Sequence, residues 1–401
     1  MLNLETPKKF KPIIHQAHQI GAEMFRPISR KYDRAEHTKP VELDMLASLM
    51  DGMNASGGEG AGAGKLKQDA GGDSGVRNGA NMTAVLGMTE LCWGDVGLAL
   101  SIPRQGLGNA AIAAVANEEQ LKRFNGRWVA MAITEPHAGS DSAAIRASAE
   151  RDGDDYILNG EKIYVTAGER ADALVVWASL DRSKGRAAIK AFLVEKGRPG
   201  LTLERLEHKL GIRASDTAAF RLENCRVPAE NLLGSPEIDT SKGFGGVMQT
   251  FDNTRPIVAA MAVGLTRAAI EETRRILADA GVHIDYRRPR THGHAAAAKL
   301  MECEADWEAA RLLTLRAAWM ADNGQPNALE ASMCKAKAGR TAVDTALACV
   351  ELCGAVGYGE GELIEKWARD AKILDIFEGT QQIQLLIVAR RLLGKTSSEL
   401  R

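Results

Sequence analysis

The chain has 401 residues, 45% hydrophobic and 26% charged, with a formal net charge of -1; at that length one core gives way to two or three domains. The near-neutral balance gives no electrostatic ground for nucleic acid or an anionic membrane as a partner. No apolar run reaches the length of a bilayer-spanning helix, the N-terminus lacks the basic-then-apolar order of a signal peptide, and the six cysteines include no Cys-x-x-Cys, so neither a disulfide framework nor a zinc site is indicated and a reducing cytoplasm is expected.

Residues 1–125 read as a helical domain, because apolar residues recur at helical spacing over 10–25, 40–53 and 83–100. Between them, residues 57–81 are rich in Gly and Ala and read as a flexible surface loop. A phosphate-loop reading of it fails: Leu66, not Ser or Thr, follows Gly64-Lys65, and Glu59 stands where that motif needs Gly. Residues 126–235 read as a β domain. Asp152-Gly153 and Asn159-Gly160 flank the alternating run of residues 155–158, and residues 163–166 follow, which predicts a hairpin with a type I′ turn at Asn159-Gly160. Further β-rich runs lie at 173–177, 191–194 and 218–222. From residue 240 to 401 the helical pattern returns as a bundle of four or five antiparallel helices. Pro256 is placed in the first turn of its opening helix and Gly281 just past its end. Later helices are expected over 294–323, 326–351, 363–374 and 381–393. Cys349 and Cys353 share a helix face and read as small core residues. His283, His292 and His294 alternate with Arg287, Arg288 and Arg290; this favours a solvated basic loop over a metal site, which needs neutral imidazoles.

Two distant segments carry the chemistry. One is Met131-Ala-Ile-Thr-Glu-Pro-His-Ala-Gly-Ser140-Asp141; the other is Arg369-Asp-Ala-Lys-Ile-Leu-Asp-Ile-Phe377-Glu378-Gly379-Thr380-Gln-Gln-Ile-Gln384. Taken alone, a Glu before Gly in a polar turn is usually a solvated carboxylate. With Gly160-Glu-Lys-Ile-Tyr-Val-Thr166 and Thr250-Phe-Asp-Asn-Thr-Arg255-Pro between them, the four segments, in order and at this spacing, resemble the acyl-CoA dehydrogenase family, the medium-chain enzyme most closely, across about residues 85–394. The resemblance implies an N-terminal helical domain, a middle β-barrel domain and a C-terminal four-helix bundle. It implies FAD as cofactor and a fatty acyl-CoA as substrate. Glu378 would remove the α-proton as the β-hydride passes to flavin N5, giving a trans-2-enoyl-CoA, with electrons leaving to an electron-transfer flavoprotein.

It also implies flavin contacts from Met131, Ile133, Thr134, Gly139, Ser140, Tyr164, Val165, Thr166, Thr380 and Gln382, with Tyr164 standing where the family more often has Trp. Substrate contacts are implied for Ser140, Asp252, Thr254, Arg255 and Gly379, and a cavity lined partly by residues 98–108. An arginine in a first helical turn opposes the helix dipole, which favours a functional reading of Arg255. A weak α-proton needs a positioned base and donors at the developing oxyanion, and burial is expected to raise the Glu378 pKa. The alternatives are an acyl-CoA oxidase-like flavoprotein and a catalytically silent subunit. In the family's tetramers a neighbouring subunit lends Arg, Phe and Gln residues to each FAD. Counting back without gaps from residues 308–319, those places here hold His283, Tyr286, Arg287 and His294, and the later Gln-Ile-Leu-Gly-Gly segment reads Glu351-Leu-Cys-Gly-Ala355. His lacks the planar fork of Arg, and Glu repels a pyrophosphate that Gln could bind. The changes point to an α2β2 tetramer with a related chain.

Overall fold

The N-terminal apolar spacing forms a succession of helices. A computed structural model describes residues 7–55, 79–104, 107–239, 245–396 and 399, and for 49–55 and 245–253 the backbone alone. The loop expected over 57–81 lies outside the described residues except for its last three. The helices are α1 (Lys11–Gln19), α2 (Arg26–Arg34), α3 (Glu42–Ala55), α4 (Ala80–Gly94), α5 (Val96–Ala99), α6 (Leu107–Val115) and α7 (Glu118–Arg123), with a π-helical turn joining α1 to α2. The helix expected over 83–100 is two. Asp95 is extended (φ -168°) and its carboxylate accepts the Leu98 N–H at 2.9 Å, which ends α4 and caps α5.

The middle of the chain is a seven-stranded sheet of β1 (Val129–Ala132), β2 (Ser148–Asp152), β3 (Asp155–Thr166), β4 (Ala173–Ser179), β5 (Ile189–Glu195), β6 (Leu201–Leu206) and β7 (Thr217–Pro228). The strand order is β1-β4-β2-β3-β7-β6, with β5 also paired to β4. The hairpin turn lies at Gly153-Asp154, between β2 and β3, not at Asn159-Gly160. Asn159-Gly160 sits inside β3, where the register against β7 slips between Leu158 and Gly160. The Asn159 side-chain oxygen accepts the Asn224 N–H at 2.7 Å, and a Cβ on Gly160 would meet the Ala147 Cβ at 2.7 Å. The dipeptide therefore makes a bulge with close strand approach rather than a turn.

The C-terminal part is α8 (Gly245–Asp279), α9 (Ala295–Asp322), α10 (Ala328–Tyr358), α11 (Ile364–Leu374) and α12 (Gln381–Leu393). Pro256 lies inside α8, not in its first turn: the helix begins about three turns earlier and tolerates one missing N–H. The dipole argument for Arg255 therefore does not hold. α10 is interrupted at Gly354 (φ 56°, ψ -132°) and continues to Tyr358. By length and composition alone α10 could cross a membrane, against the sequence expectation. Its length comes from Ala- and Cys-rich turns such as Cys334, Ala338, Ala342, Ala346 and Cys349, all buried in the core shared with α8 and α11. All six cysteines are buried and free.

Candidate active site

Glu378 occupies the short bend between α11 and α12. Its φ is 53° and that of Gly379 is 94°. The left-handed region suits Gly but is costly for Glu, and such strain persists only where the surroundings enforce it. Three neighbours do so. The Gln384 side-chain N–H, one turn into α12, donates to the Glu378 carbonyl at 3.0 Å and the Gly379 carbonyl at 3.2 Å. The Lys335 ammonium, from α10, donates to the Gly379 carbonyl at 2.7 Å. Thr254, from α8, donates its hydroxyl to the Glu378 carboxylate at 2.5 Å.

Thr254, Arg255, Lys335 and Gln384 are all buried, while Glu378 and Gly379 are half-buried. Burial drives the Glu378 carboxyl above its ordinary range, and the Thr254 bond with the charges of Lys335 and Arg255 pulls it part of the way back. Burial likewise brings Lys335 down to about 8, against the pull of Glu378 and Asp375. This is a carboxylate of raised basicity held in one orientation, which is what proton abstraction from a weakly acidic carbon requires. Sequence reasoning missed Lys335 and Gln384. The signal for Lys335 was a lysine among small apolar residues on the buried face of a helix.

Asp252 is described by its backbone only, so the substrate role expected of its side chain lies outside the described residues. Thr254 and Gly379 lie against Glu378, as above. The Arg255 guanidinium is 3.5 Å from the Ser332 hydroxyl and lies close enough to Glu378 to act on its charge.

The other expected site residues form a second group at the edge of the sheet. The Ile163 N–H donates to the Thr134 carbonyl at 2.9 Å, which sets Thr134 beside Tyr164. A buried ion pair fixes this junction. The Glu135 carboxylate accepts the Lys162 ammonium at 2.6 Å and the Arg146 and Ala147 N–H groups at 2.5 and 2.9 Å. Lys162 also reaches the Ile133 carbonyl at 3.2 Å, and burial lowers its pKa to about 8 despite Glu135. Neither residue was assigned a role from sequence, although both lie within the quoted motifs; a charged residue at an inward strand position was the available signal.

Tyr164 is 62% exposed with φ 56°, at a second slip of register between β3 and β7, so its ring faces outward from the sheet. Ile133 and Val165 are buried in two separate clusters and Met131 packs against that of Ile133, so their side chains serve the fold. Gly139 and Ser140 are exposed beyond the tight Glu135–Ala138 bend, and Thr134, Thr166 and Thr380 are half-buried. Thr380 caps α12 through its hydroxyl, and Gln382 is exposed in the first turn after it.

The two groups are joined through α11. The Asp370 carboxylate accepts the Ile212 N–H at 2.5 Å, and Arg369 donates to the Leu210 carbonyl at 3.1 Å. That loop runs directly into Thr217 and Ala218, which pair with Thr166 and Val165.

An outward aromatic ring, hydroxyls at 134, 140 and 166, and a helix N-terminus at Thr380 suit a planar cofactor with phosphates. The residues present thus fit FAD. Two clefts of about 260 and 600 Å³, the first by Arg123 and Tyr156 and the second between α8 and α9, contain none of the residues expected to touch this chain's own flavin or substrate, though Tyr286 lines the second.

Residues 130–225 match the acyl-CoA dehydrogenase middle domain and residues 241–393 the acyl-CoA dehydrogenase C-terminal domain. Among curated relatives, cyclohex-1-ene-1-carbonyl-CoA dehydrogenase of Geobacter metallireducens is 39% identical over 280 residues, 69% of this chain and 72% of the relative. A short-chain specific acyl-CoA dehydrogenase of Clostridium acetobutylicum is 34% identical over 315 residues, 77% of this chain and 81% of the relative. The solved butyryl-CoA dehydrogenase of Megasphaera elsdenii superposes with a TM-score of 0.81 at 29% identity, covering 98% of this chain and all (100%) of that one.

Proposed function

The chain belongs to the acyl-CoA dehydrogenase family of flavoprotein oxidoreductases, and from that premise we propose that it carries out FAD-dependent α,β-dehydrogenation of a fatty acyl-CoA with Glu378 as the α-proton base. The observation that carries the reading is the strained, half-buried Glu378 whose carboxylate is held by Thr254 at 2.5 Å. Bound FAD would supply the hydride acceptor. Thr134, Ser140, Tyr164, Thr166, Thr380 and Gln382 would hold it, the tyrosine ring covering one face. The left-handed turn holds the Glu378 N–H and carboxylate in fixed relation. On this reading the N–H meets the thioester carbonyl oxygen while the carboxylate takes the proton from the adjacent carbon. Lys335 and Arg255 limit how far the carboxylate's basicity rises, so that it remains ionised at working pH. Electrons would leave to an electron-transfer flavoprotein.

The test is Glu378→Gln. Turnover with acyl-CoA should fall by about 10²–10⁴ or more while the flavin spectrum and acyl-CoA binding persist. Turnover at the wild-type rate would place the base elsewhere.

We further propose the α2β2 assembly. What supports it is the sequence: His283, Tyr286, Arg287, His294 and Glu351 stand where the family's subunits lend Arg, Phe and Gln residues to a neighbour's FAD. Expressed alone, the chain should bind less than one FAD per subunit. A homotetramer with full flavin content and activity would refute the assembly.

A further inference from the structure

Glu36 and His37 end the turn after α2, and His208 sits on the loop between β6 and β7. One carboxylate oxygen and one nitrogen from each imidazole lie within 4.8 Å of one another. His208 Nδ1 is 3.0 Å from the Glu36 carboxylate, and the two imidazole rings meet edge to face at 5.0 Å between centroids.

His37 is the unusual member. Both of its ring nitrogens are shielded from solvent and neither has a hydrogen-bond partner, although an imidazole always has one N–H to satisfy and leaving it unpaired costs about 1–3 kcal/mol. Its φ is 68°, and histidine is among the residues that tolerate that region. Glu36 is braced from behind, its other oxygen accepting the Lys209 N–H at 2.8 Å. Burial works against its charge, but Lys209 and His208 outweigh it and hold the carboxyl below its ordinary range.

We propose that Glu36, His37 and His208 form a zinc site that ties the end of α2 to the β6–β7 loop. Two imidazoles and one carboxylate are a zinc donor set with a fourth position for water, whereas calcium and magnesium favour oxygen ligands throughout. Tetrahedral arms of about 2.0–2.1 Å place ligands roughly 3.4 Å apart, so the cluster must contract by about 1 Å. The His208 side chain, 84% exposed, is free to make that movement. The ion would satisfy a His37 nitrogen and crosslink the N-terminal helices to the loop that contacts α11 through Leu210 and Ile212.

The test titrates chelator-treated, full-length protein with Zn²⁺ alone, reading affinity by competition with a chromogenic chelator and stability by melting temperature. One ion per chain should bind, with a rise in melting temperature at saturation. Glu36→Gln, His37→Asn and His208→Gln should each weaken binding by about tenfold or more. His208 is exposed, so His208→Gln leaves the fold in place and decides the matter. Unchanged zinc affinity in that variant, or no stoichiometric binding by the wild type, would overturn the proposal.

Discussion

Glu378 has three polar influences acting on one carboxylate, and they are separable. The carboxylate is active when deprotonated, so activity is lost as pH falls through its pKa. That pKa is raised mainly by burial and lowered by Thr254, Lys335 and Arg255. Removing the Lys335 cation should therefore raise it further and move the acid limb of kcat/KM to higher pH. Lys335→Met is expected to show this shift, and Lys335→Arg, which keeps the charge, to return the limb toward the wild-type position. A pH–rate profile of the three proteins checks it, and coincident acid limbs would deny Lys335 any influence on the base. Glu378 itself was legible in the sequence because its flanking motif is dense in recognisable residues. Lys335 was not, since its role depends on α10 lying under the α11–α12 bend, a contact between residues 44 apart in sequence.

Between elements, the Glu135–Lys162 pair joins the loop after β1 to β3 with four bonds to carbonyl, amide and carboxylate groups. Breaking a buried pair by neutralising one partner leaves an uncompensated charge and costs about 3–5 kcal/mol. Glu135→Gln should accordingly lower the denaturant midpoint and release the Thr134–Tyr164 junction, so flavin affinity should fall with stability. Loss of stability with undiminished flavin affinity would separate the pair from the cofactor site. At this scale the sequence was legible where periodicity decides: α9, α11 and α12 lie within a residue or so of expectation. It misled where a local signal was overruled by strand pairing or helix continuity. Asn159-Gly160 has turn chemistry, but pairing with β2 and β7 keeps it inside β3 as a bulge. Pro256 looks like a helix start, but the backbone of α8 is already helical well before it.

Across the whole molecule, α11 is the hub. Lys366 is fully buried between Asp95 at 2.7 Å and Asp370 at 2.5 Å, and Asp95 also receives Ser29 from α2. Burial opposes the lysine's charge, yet the two aspartates prevail and raise its pKa. Arg369 grips Asp33 of α2 with both of its terminal nitrogens, at 2.7 and 2.9 Å. Lys366→Met would strand two buried carboxylates, so a loss of about 3–5 kcal/mol is expected, measured as an earlier denaturant midpoint; a variant of unchanged stability would remove α11 from this role. The same arrangement bears on how the protein is made. Asp95 leaves the ribosome 271 residues before Lys366, about 15–50 s at ordinary elongation rates, and for all that interval the lysine that pairs with it in the fold does not yet exist. The N-terminal helices therefore emerge with buried carboxylates that are matched only once α11, the helix leading into Glu378, has been made. A nascent or truncated chain lacking α11 is thus left both without its base and without the cation that seals its N-terminal helices.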